Sequence, residues 1–340
     1  MFPHKIEQVD EQLNMKLMNF FKGERRGFCK VGPEKWLLPM RYMDQAEGYY
    51  NMQVRKDDVW IMTFPRSGTT WCQELLWLIN NNLDYEKASQ TPLDRRFPFL
   101  EFGILHSPEL HKEIMALNSD TKEIEDQLAF MRQPGYEWAA QMTNPRHFKT
   151  HLPFDLLPPS LLDSSKVIYV ARNPKDVATS YYYHNRLLKV HEYTGDFETY
   201  WDLFEQNLLA FCPYWPHINQ AWAKRNHPNL LFLFYEDMVQ DLPKNIEKVA
   251  EFLGKKLTAD QISRLTDHLH IDNFKKNVVL HPKVVINGFY KEGEEDFIRK
   301  GKVGGRKEFN SELETKANHW VDEHLASTEL KFPVCNSNHR

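Results

Sequence analysis

The sequence is poor in cysteine, and its few cysteines are not arranged in motifs. Cys29, Cys72, Cys212 and Cys335 lie far apart along the 340 residues, and no C-x-x-C pair occurs. This spacing argues against a structural zinc site and against a disulfide framework. We therefore expect a protein of a reducing compartment.

Long hydrophobic runs are also missing. The first stretch, MFPHKIEQVDEQLNMKLM, alternates charged with apolar residues and lacks the uninterrupted apolar segment of a signal peptide. No window approaches the roughly 18 apolar residues that a membrane span requires. These absences predict a soluble, cytoplasmic protein without a membrane span.

Neither sign of charge is in large excess, because 43 basic side chains stand beside 47 acidic ones. This balance does not favour nucleic-acid binding, so any anion site must be local. Hydrophobic residues make up 41% of the chain, which is enough for a large core. Length alone fits one long α/β domain as well as two smaller ones. Without repeats or low-complexity tracts, we treat residues 1–340 as a single domain.

What the sequence does contain is a repeated succession of strand, tight loop and helix. DVWIMTF, residues 58–64, is a short apolar run rich in β-favouring types, and it stops at Pro65. TTWCQELLWLI then places Trp71, Leu75 and Leu78 at helical spacing. We therefore predict a buried strand whose end leads through a loop into a helix.

The same succession returns twice. An apolar strand at 167–170 precedes a predicted helix over 176–188, and a strand from Asn229 precedes a helix over 244–253 that Gly254 ends. Strands separated by helical lengths predict a central parallel sheet flanked by helices on both faces. The segment at about 82–148 contains no obvious strand, and we interpret it as a helical and loop insertion packed over the sheet.

The loop PRSGTT after the first strand has the composition of an anion site. Backbone N–H groups at a helix N-terminus favour an anion, and Gly68 lets the backbone approach it. Further donors and a possible stacking partner for a base are Arg66, Ser67, Thr69, Thr70 and Trp71. The alternative is an ordinary helix start with a Ser/Thr cap. A Walker A string, G-x-x-x-x-G-K-[ST], does not occur.

Three further groups have open interpretations. In IRKGKVGGRKEF, basic residues surround scarce glycines, which indicates a phosphate clamp or a solvated basic turn. Lys149 and His151 lie two residues apart, so both point to one side of an extended segment, although a buried structural His is the commoner case. Arg172 follows a strand and could pair with Asp176 as a simple helix-start ion pair.

Taken in order, TFPRSGTTW, KTHLP, VARNPKDVATSYY, LFYEDM and IRKGKVGG resemble the signature blocks of the cytosolic sulfotransferase family. The resemblance covers about residues 54–307. AWAKRNHPNLLFLFYED and FLGKKL, with the long insertion, are similar to insect members in particular, including the retinol dehydratase type. The resemblance implies a single-domain α/β sulfotransferase fold of the P-loop nucleotide-kinase-like kind.

The family transfers a sulfuryl group from 3′-phosphoadenosine 5′-phosphosulfate (PAPS) to a hydroxyl or amine and releases 3′-phosphoadenosine 5′-phosphate (PAP). The resemblance implies that His151 is the general base, that Lys149 donates to the sulfuryl oxygens, and that no metal ion is required. Arg66 would stabilise the leaving phosphate, and Ser180 is also counted among the catalytic residues. Arg172, Ser180 and the run Arg299-Lys300-Gly301 would bind the 3′-phosphate. The implied cofactor-binding residues are Arg66, Ser67, Gly68, Thr69, Thr70, Trp71, Arg172, Ser180, Tyr235, Arg299, Lys300 and Gly301.

The chain departs from the family pattern at four positions. Arg66 stands where Lys is usual, and Arg306 replaces a Trp in the glycine clamp. Leu269 and Ile271 replace a Thr and a Phe beside the adenosine, so we expect a looser base pocket. The family's short dimerisation signature is not recognisable in KEFNSELETK, which leaves the oligomeric state open.

The expected acceptor is a small hydrophobic hydroxylated molecule, such as a phenol, a steroid or an isoprenoid alcohol. Each candidate acceptor-binding residue could instead be a core aromatic. The candidates are Phe97, Phe99, His106, Tyr181 and His184, with Phe102, Tyr290 and Trp36 as further possibilities. Three other functions stay open: a dehydratase in which sulfation leads to elimination, a small-molecule kinase, and a binding protein that has lost its chemistry.

Overall fold

The computed structural model describes residues 1–118, 122–280, 286–298, 301, 303–304 and 306–334. Near its N-terminus lies a small antiparallel sheet that the sequence analysis did not predict. Its strands are β1 (Ile6–Gln8), β2 (Phe28–Val31) and β3 (Trp36–Pro39), in the order β1-β2-β3. The sheet joins the rest of the molecule through two backbone bonds of 2.8 Å, from Leu37 N to Cys212 O and from Phe211 N to Leu37 O.

The central sheet is parallel, as the sequence predicted. Its strands are β4 (Val59–Thr63), β5 (His147–Thr150), β6 (Lys166–Ala171) and β7 (Leu230–Phe234), in the order β5-β4-β6-β7. In the register, Ile61 of β4 lies between Lys149 of β5 and Ile168 of β6. All described strand pairs of this sheet are parallel, which confirms the α/β fold class.

Alternate residues of the strands enter two different hydrophobic cores. Trp60 and Met62 of β4 pack into one core, whereas Val59 and Ile61 pack into the other. Successive side chains of a strand point to opposite faces, so this division shows that apolar residues cover both faces of the sheet.

Helices flank both faces. Their bounds are α1 (Glu11–Phe20), α2 (Tyr42–Tyr50), α3 (Thr69–Asn80), α4 (Tyr85–Gln90), α5 (Leu93–Arg96), α6 (Pro108–Leu117), α7 (Lys122–Arg132), α8 (Gly135–Gln141), α9 (Leu161–Ser164), α10 (Pro174–Leu187), α11 (Phe197–Glu205), α12 (Tyr214–Ala223), α13 (Tyr235–Gln240), α14 (Leu242–Phe252), α15 (Ala259–Leu269), α16 (Ile271–Asn277) and α17 (Ser311–Leu325). The predicted helices over 176–188 and 244–253 correspond to α10 and α14 with shifts of one or two residues.

The segment at 82–148 contains helices α4 to α8 and a 3₁₀ turn at Phe102–Ile104. The expectation that it contributes no strand is wrong at its end, because β5 begins at His147 and pairs with β4. A run of only four residues, HFKT, has no period long enough to separate a strand from a loop.

A buried ion pair fastens this segment to the sheet. Arg146 donates from Nε to Asp58 Oδ1 at 2.7 Å and from Nη2 to Asp58 Oδ2 at 2.5 Å, and both side chains are at most 1% exposed. The same guanidinium donates to Ala139 O at 3.0 Å and to Gln53 O at 2.9 Å. Four bonds from one side chain fix the start of β5 against β4.

Candidate functional site

A cavity of about 830 Å³ lies at the carboxyl ends of the central strands. Its wall includes a residue within three positions of the end of each strand: Arg66 after β4, His151 after β5, Arg172 after β6 and Tyr235 after β7. In open parallel sheets this edge is where ligands bind. The parallel topology therefore brings four separate sequence motifs into one site.

The loop between β4 and α3 has the backbone shape of a cradle. Gly68 has a φ of +95°, and a Cβ atom at this position would lie 2.6 Å from the Tyr235 ring. Only a residue without a side chain fits there. Helix α3 begins at the next residue, Thr69, so its N-terminus faces the cavity with the polarity that favours an anion.

The predicted loop residues differ in how they meet the cavity. Arg66, Gly68, Thr69, Thr70 and Trp71 all line it. Ser67 is not part of the lining; it is 1% exposed, and its Oγ has no hydrogen-bond partner among the described residues. An unpaired buried hydroxyl beside a helix N-terminus fits a site that receives an oxyanion.

Arg66 connects the loop to the helix after β6. Its Nε donates to Ser180 Oγ at 3.1 Å, and its Nη2 donates to Phe297 O at 2.9 Å. Its guanidinium also lies 5.0 Å from the centre of the Phe297 ring. Ser180 lines the cavity and is in direct contact with Arg66.

Arg172 does not form the ion pair with Asp176 that was one interpretation of its sequence context. Its Nη1 donates to Arg66 O at 2.9 Å, and its guanidinium lies 4.3 Å above the Tyr235 ring. Asp176 pairs instead with Arg306, whose Nε lies 2.7 Å from Asp176 Oδ1. The Arg that replaces the family's Trp thus neutralises a carboxylate in the first turn of α10.

The opposite side of this end of the cavity carries the other departures. Trp71 Nε1 donates to Leu269 O at 2.9 Å, and the Trp71 ring meets Tyr235 edge-on at 5.9 Å. Ile271 packs against Gly301, where an added Cβ would lie 2.9 Å from Ile271 Cδ1. These residues line the cavity, whereas the predicted ligands Arg299 and Lys300 lie outside the described residues.

His151 lies immediately past the end of β5 with its ring fixed by β4. Its Nδ1 is 2.8 Å from the carbonyl oxygen of Thr63, which can only accept, so Nδ1 carries the proton. The neutral ring then has a lone pair at Nε2. Burial, and next the charge of Lys149, holds the pKa of His151 well below its ordinary value, so the ring is neutral near pH 7.

Lys149 lies on β5 two residues before His151, and it lines the same cavity. Its Nζ lies 4.3 Å from the centre of the Phe99 ring. Burial lowers the pKa of Lys149 to about 8, and the nearby Glu101 carboxylate opposes that shift. The side chain therefore stays mostly protonated at neutral pH and can donate to an anion.

Sequence reasoning missed two residues that hold His151. Glu101 Oε1 accepts from His151 N at 2.5 Å, and His217 Nε2 donates to His151 O at 2.9 Å. His217 is set by a further bond of 2.7 Å from the Tyr169 hydroxyl to its Nδ1. A signal was available for Glu101, because it is a lone charge in the apolar run FPFLEFGIL.

The other end of the cavity is aromatic. The predicted residues that line it are Phe97, Phe99, Phe102, Tyr181, His184 and Tyr290. His106 does not line the cavity; its ring is 0% exposed and packs 5.7 Å from His111. Trp36 is likewise a core residue, 0% exposed and edge-on to His217 at 6.0 Å. The predictions for these two residues are therefore corrected.

Two kinds of feature are absent from the described part of the chain. No helix among these residues is long and apolar enough to cross a membrane. No group of three His, Cys, Asp or Glu side chains among them is arranged to hold a metal ion.

Comparison with known sequences gives the family. A model described as "Sulfotransferase domain" matches residues 56–329. A luciferin sulfotransferase of Photinus pyralis is 31% identical over 334 residues, covering 96% of this chain and 87% of the relative. Sulfotransferase 1 family member D1 of Rattus norvegicus is 35% identical over 273 residues, covering 80% of this chain and 83% of the relative.

Solved structures agree with these sequences. Retinol dehydratase in complex with androsterone and the inactive cofactor PAP matches with a TM-score of 0.90 and 36% identity, covering 98% of this chain and 99% of that one. Mouse sulfotransferase SULT7A1 complexed with PAP matches with a TM-score of 0.63 and 20% identity, covering 87% and 93%, and it shares the fold. The chain therefore belongs to the sulfotransferase family and is a PAPS-dependent transferase.

Proposed function

We propose that this enzyme transfers the sulfuryl group of PAPS to the hydroxyl of a small hydrophobic acceptor, with His151 as the general base. The observation that carries the proposal is that the anion cradle at Gly68 and an imidazole with a lone pair at Nε2 line the same cavity. An anion grip beside a neutral base is the arrangement that group transfer to an alcohol needs.

The nucleotide would bind along the loop and the adjoining helix starts. Ser67, Gly68 and Thr69 would surround the 5′-phosphosulfate at the N-terminus of α3. Arg172, Ser180 and Gly301 would contact the 3′-phosphate, and Trp71 and Tyr235 would meet the adenine. The positive φ of Gly68, the unpaired Ser67 hydroxyl and the cations beside them support this assignment.

When bound, PAPS supplies a sulfuryl group already joined to a good leaving group. His151 Nε2 would accept the acceptor's hydroxyl proton as the oxygen attacks, while the Thr63 carbonyl holds the Nδ1–H bond and stabilises the imidazolium that forms. Lys149 and Arg66 would donate to oxygens on which charge builds up. A sulfuryl group carries less negative charge than a phosphoryl group, so we expect turnover without an added metal ion.

The acceptor would occupy the aromatic end. The His151 ring makes T-shaped contacts with Phe99 at 5.0 Å and with Phe211 at 5.6 Å. Aromatic rings beside a base suit a phenol, steroid or isoprenoid alcohol whose hydroxyl points at Nε2. On this proposal the enzyme is one catalytic domain that acts in the cytoplasm on a small molecule.

The test is the pair His151→Ala and His147→Ala. His147 is a buried histidine at the start of β5 that bonds to Asn80 at 2.9 Å and lies outside the cavity wall, so it controls for loss of a buried imidazole. General-base removal costs roughly a hundredfold or more in rate. We expect that loss for His151→Ala with labelled PAPS, PAP affinity within a few-fold of wild type, and little rate change for His147→Ala. Normal turnover by His151→Ala would place the base elsewhere.

A second outcome of the same chemistry is favoured by one comparison. The neighbour at 36% identity is a retinol dehydratase, so an allylic acceptor could lose its sulfate after transfer and leave an alkene. Mass spectrometry of products from a panel of hydroxylated acceptors, retinol included, separates a sulfate ester from a dehydrated product.

A further inference from the structure

Glu101 lies where the insertion meets the catalytic strand. Just before it, the chain extends the outer edge of β5, with bonds of 2.9 Å from Lys149 N to Pro98 O and from Leu100 N to Lys149 O. Glu101 is the next residue, its side chain is 0% exposed, and it does not line the cavity. It is therefore a buried carboxyl group one layer behind the reacting groups.

Both oxygens of this carboxyl group are bound to the end of β5. Oε1 accepts from the His151 backbone N–H at 2.5 Å, and Oε2 accepts from Thr150 Oγ1 at 2.9 Å. Thr150 Oγ1 in turn accepts from Leu152 N at 3.1 Å. Because β5 ends at Thr150, the carboxylate takes the place of the next main-chain acceptor along the strand edge.

The remaining bonds of His151 come from the opposite side. The Thr63 carbonyl holds the ring at Nδ1, and His217 holds the backbone carbonyl. Three partners thus fix one residue, and Glu101 is the partner that belongs to the insertion. Its neighbours Phe99 and Phe102 line the acceptor end of the cavity.

We propose that Glu101 is a positioning residue that fixes the His151 main chain against the acceptor-binding wall. The proposal rests on the proposed function, in which His151 is the base. The acidic side chain does not touch a reacting atom; it acts through His151. It keeps His151 Nε2 at a fixed position relative to the aromatic residues that would bind the acceptor. This matters because a small displacement of a general base lowers the rate strongly.

The electrostatic surroundings agree with this assignment. Burial raises the pKa of Glu101 to about 7, and the bonds from His151 N and Thr150 oppose that shift, with a smaller contribution from Lys149. A glutamine at this position keeps an oxygen that accepts from the His151 N–H, and its amide N–H can donate to Thr150 Oγ1, which reverses the direction of that bond. Geometry, rather than charge, is therefore what Glu101→Gln preserves.

The experiment compares Glu101→Ala with Glu101→Gln. We expect Glu101→Ala to lose roughly tenfold to a hundredfold in kcat while its Kd for PAP stays within about twofold of wild type. Glu101→Gln should recover most of the rate. Glu24→Ala removes another buried carboxylate outside the cavity wall and should leave kcat unchanged. Wild-type kcat in Glu101→Ala, or a glutamine variant as slow as the alanine variant, would overturn the proposal.

A double variant separates positioning from general damage. If Glu101 acts through His151, then Glu101→Ala combined with His151→Ala should be no slower than His151→Ala alone. Additive losses would overturn the proposal. Should Glu101→Ala fail to fold, Thr150→Val can replace it, because it removes the hydrogen bond from Thr150 to Glu101 Oε2. This variant should also have a lower kcat and an unchanged affinity for PAP.

The two proposals fail in different ways. Normal turnover by His151→Ala removes the general base and with it the basis for Glu101. An inactive His151→Ala beside a fully active Glu101→Ala removes only the positioning role.

Discussion

Replacing Gly68 by alanine tests the anion cradle at its tightest point. The backbone at Gly68 has a φ of +95°, a conformation that costs an L-residue about 1–2 kcal/mol. The new Cβ would lie 2.6 Å from Tyr235 Cδ2 and 3.0 Å from Cε2. Carbon atoms prefer separations of about 3.5–4.0 Å, so the buried Tyr235 ring must move by roughly 1 Å.

Two effects therefore add in this variant. Overpacking a close contact costs about 1–3 kcal/mol beyond the backbone strain, so we expect the free energy of unfolding to fall by about 2–5 kcal/mol. The Tyr235 ring also supports the Arg172 guanidinium at 4.3 Å, and both would contact the nucleotide. Since about 1.4 kcal/mol corresponds to a tenfold change in affinity, a partial loss of these contacts should weaken PAP binding roughly tenfold or more.

Gly254→Ala is the matched control. Gly254 has a φ of +70°, follows α14 and would place its Cβ with no atom of the described chain within 4 Å. Backbone strain alone should lower its free energy of unfolding by about 1–2 kcal/mol, measured by urea denaturation. Its affinity for PAP, measured by calorimetry, should be unchanged. A Gly68→Ala enzyme that binds PAP as tightly as Gly254→Ala does would refute the assignment of the loop.

Two further predictions concern arginines. Arg146→Met should lower the free energy of unfolding by about 3–5 kcal/mol, because Asp58 would be left buried without its bidentate partner. Urea denaturation measures this change. A smaller loss of stability than the one caused by breaking an exposed pair, such as Lys35–Glu7, would contradict it. Arg66→Ala should lower turnover roughly tenfold to a hundredfold, because it removes a charged hydrogen-bond donor that contributes about 1.5–3 kcal/mol. Arg66→Lys should keep most of the rate. Near-normal turnover of the alanine variant would show that Arg66 has no catalytic role.

The sequence predicted three of the four strands of the central sheet, β4, β6 and β7, because each is a longer apolar run than β5. Residues 59–62 and 167–171 of these strands are continuous apolar runs, and such runs indicate interior strands. The N-terminal sheet has no comparable signal. Ile6–Gln8 is three residues long, and it forms a strand because Phe28–Val31 lies beside it. Pairing between distant residues decides such short strands.

The motifs of the sequence predicted many residues of the cavity wall. Composition could not separate aromatic residues that line the cavity from those that belong to the core. His106 and His184 are both histidines near apolar residues, yet His106 is enclosed by the insertion and His184 lines the cavity. Glu101 stands out in the sequence as a lone charge in an apolar run, but the sequence does not show what it binds. Its role depends on a backbone N–H fifty residues away, which no local pattern records.

The cavity is one volume of about 830 Å³, and on our proposal it would hold both the nucleotide and the acceptor. A single inhibitor that links an adenosine bisphosphate to a hydrophobic phenol would therefore occupy both ends. It would lose translational and rotational entropy once, whereas two separate ligands would each lose it. Its affinity would come from the phosphate-binding half. Its selectivity among related transferases would come from the aromatic half, through Phe99, His184 and Tyr290.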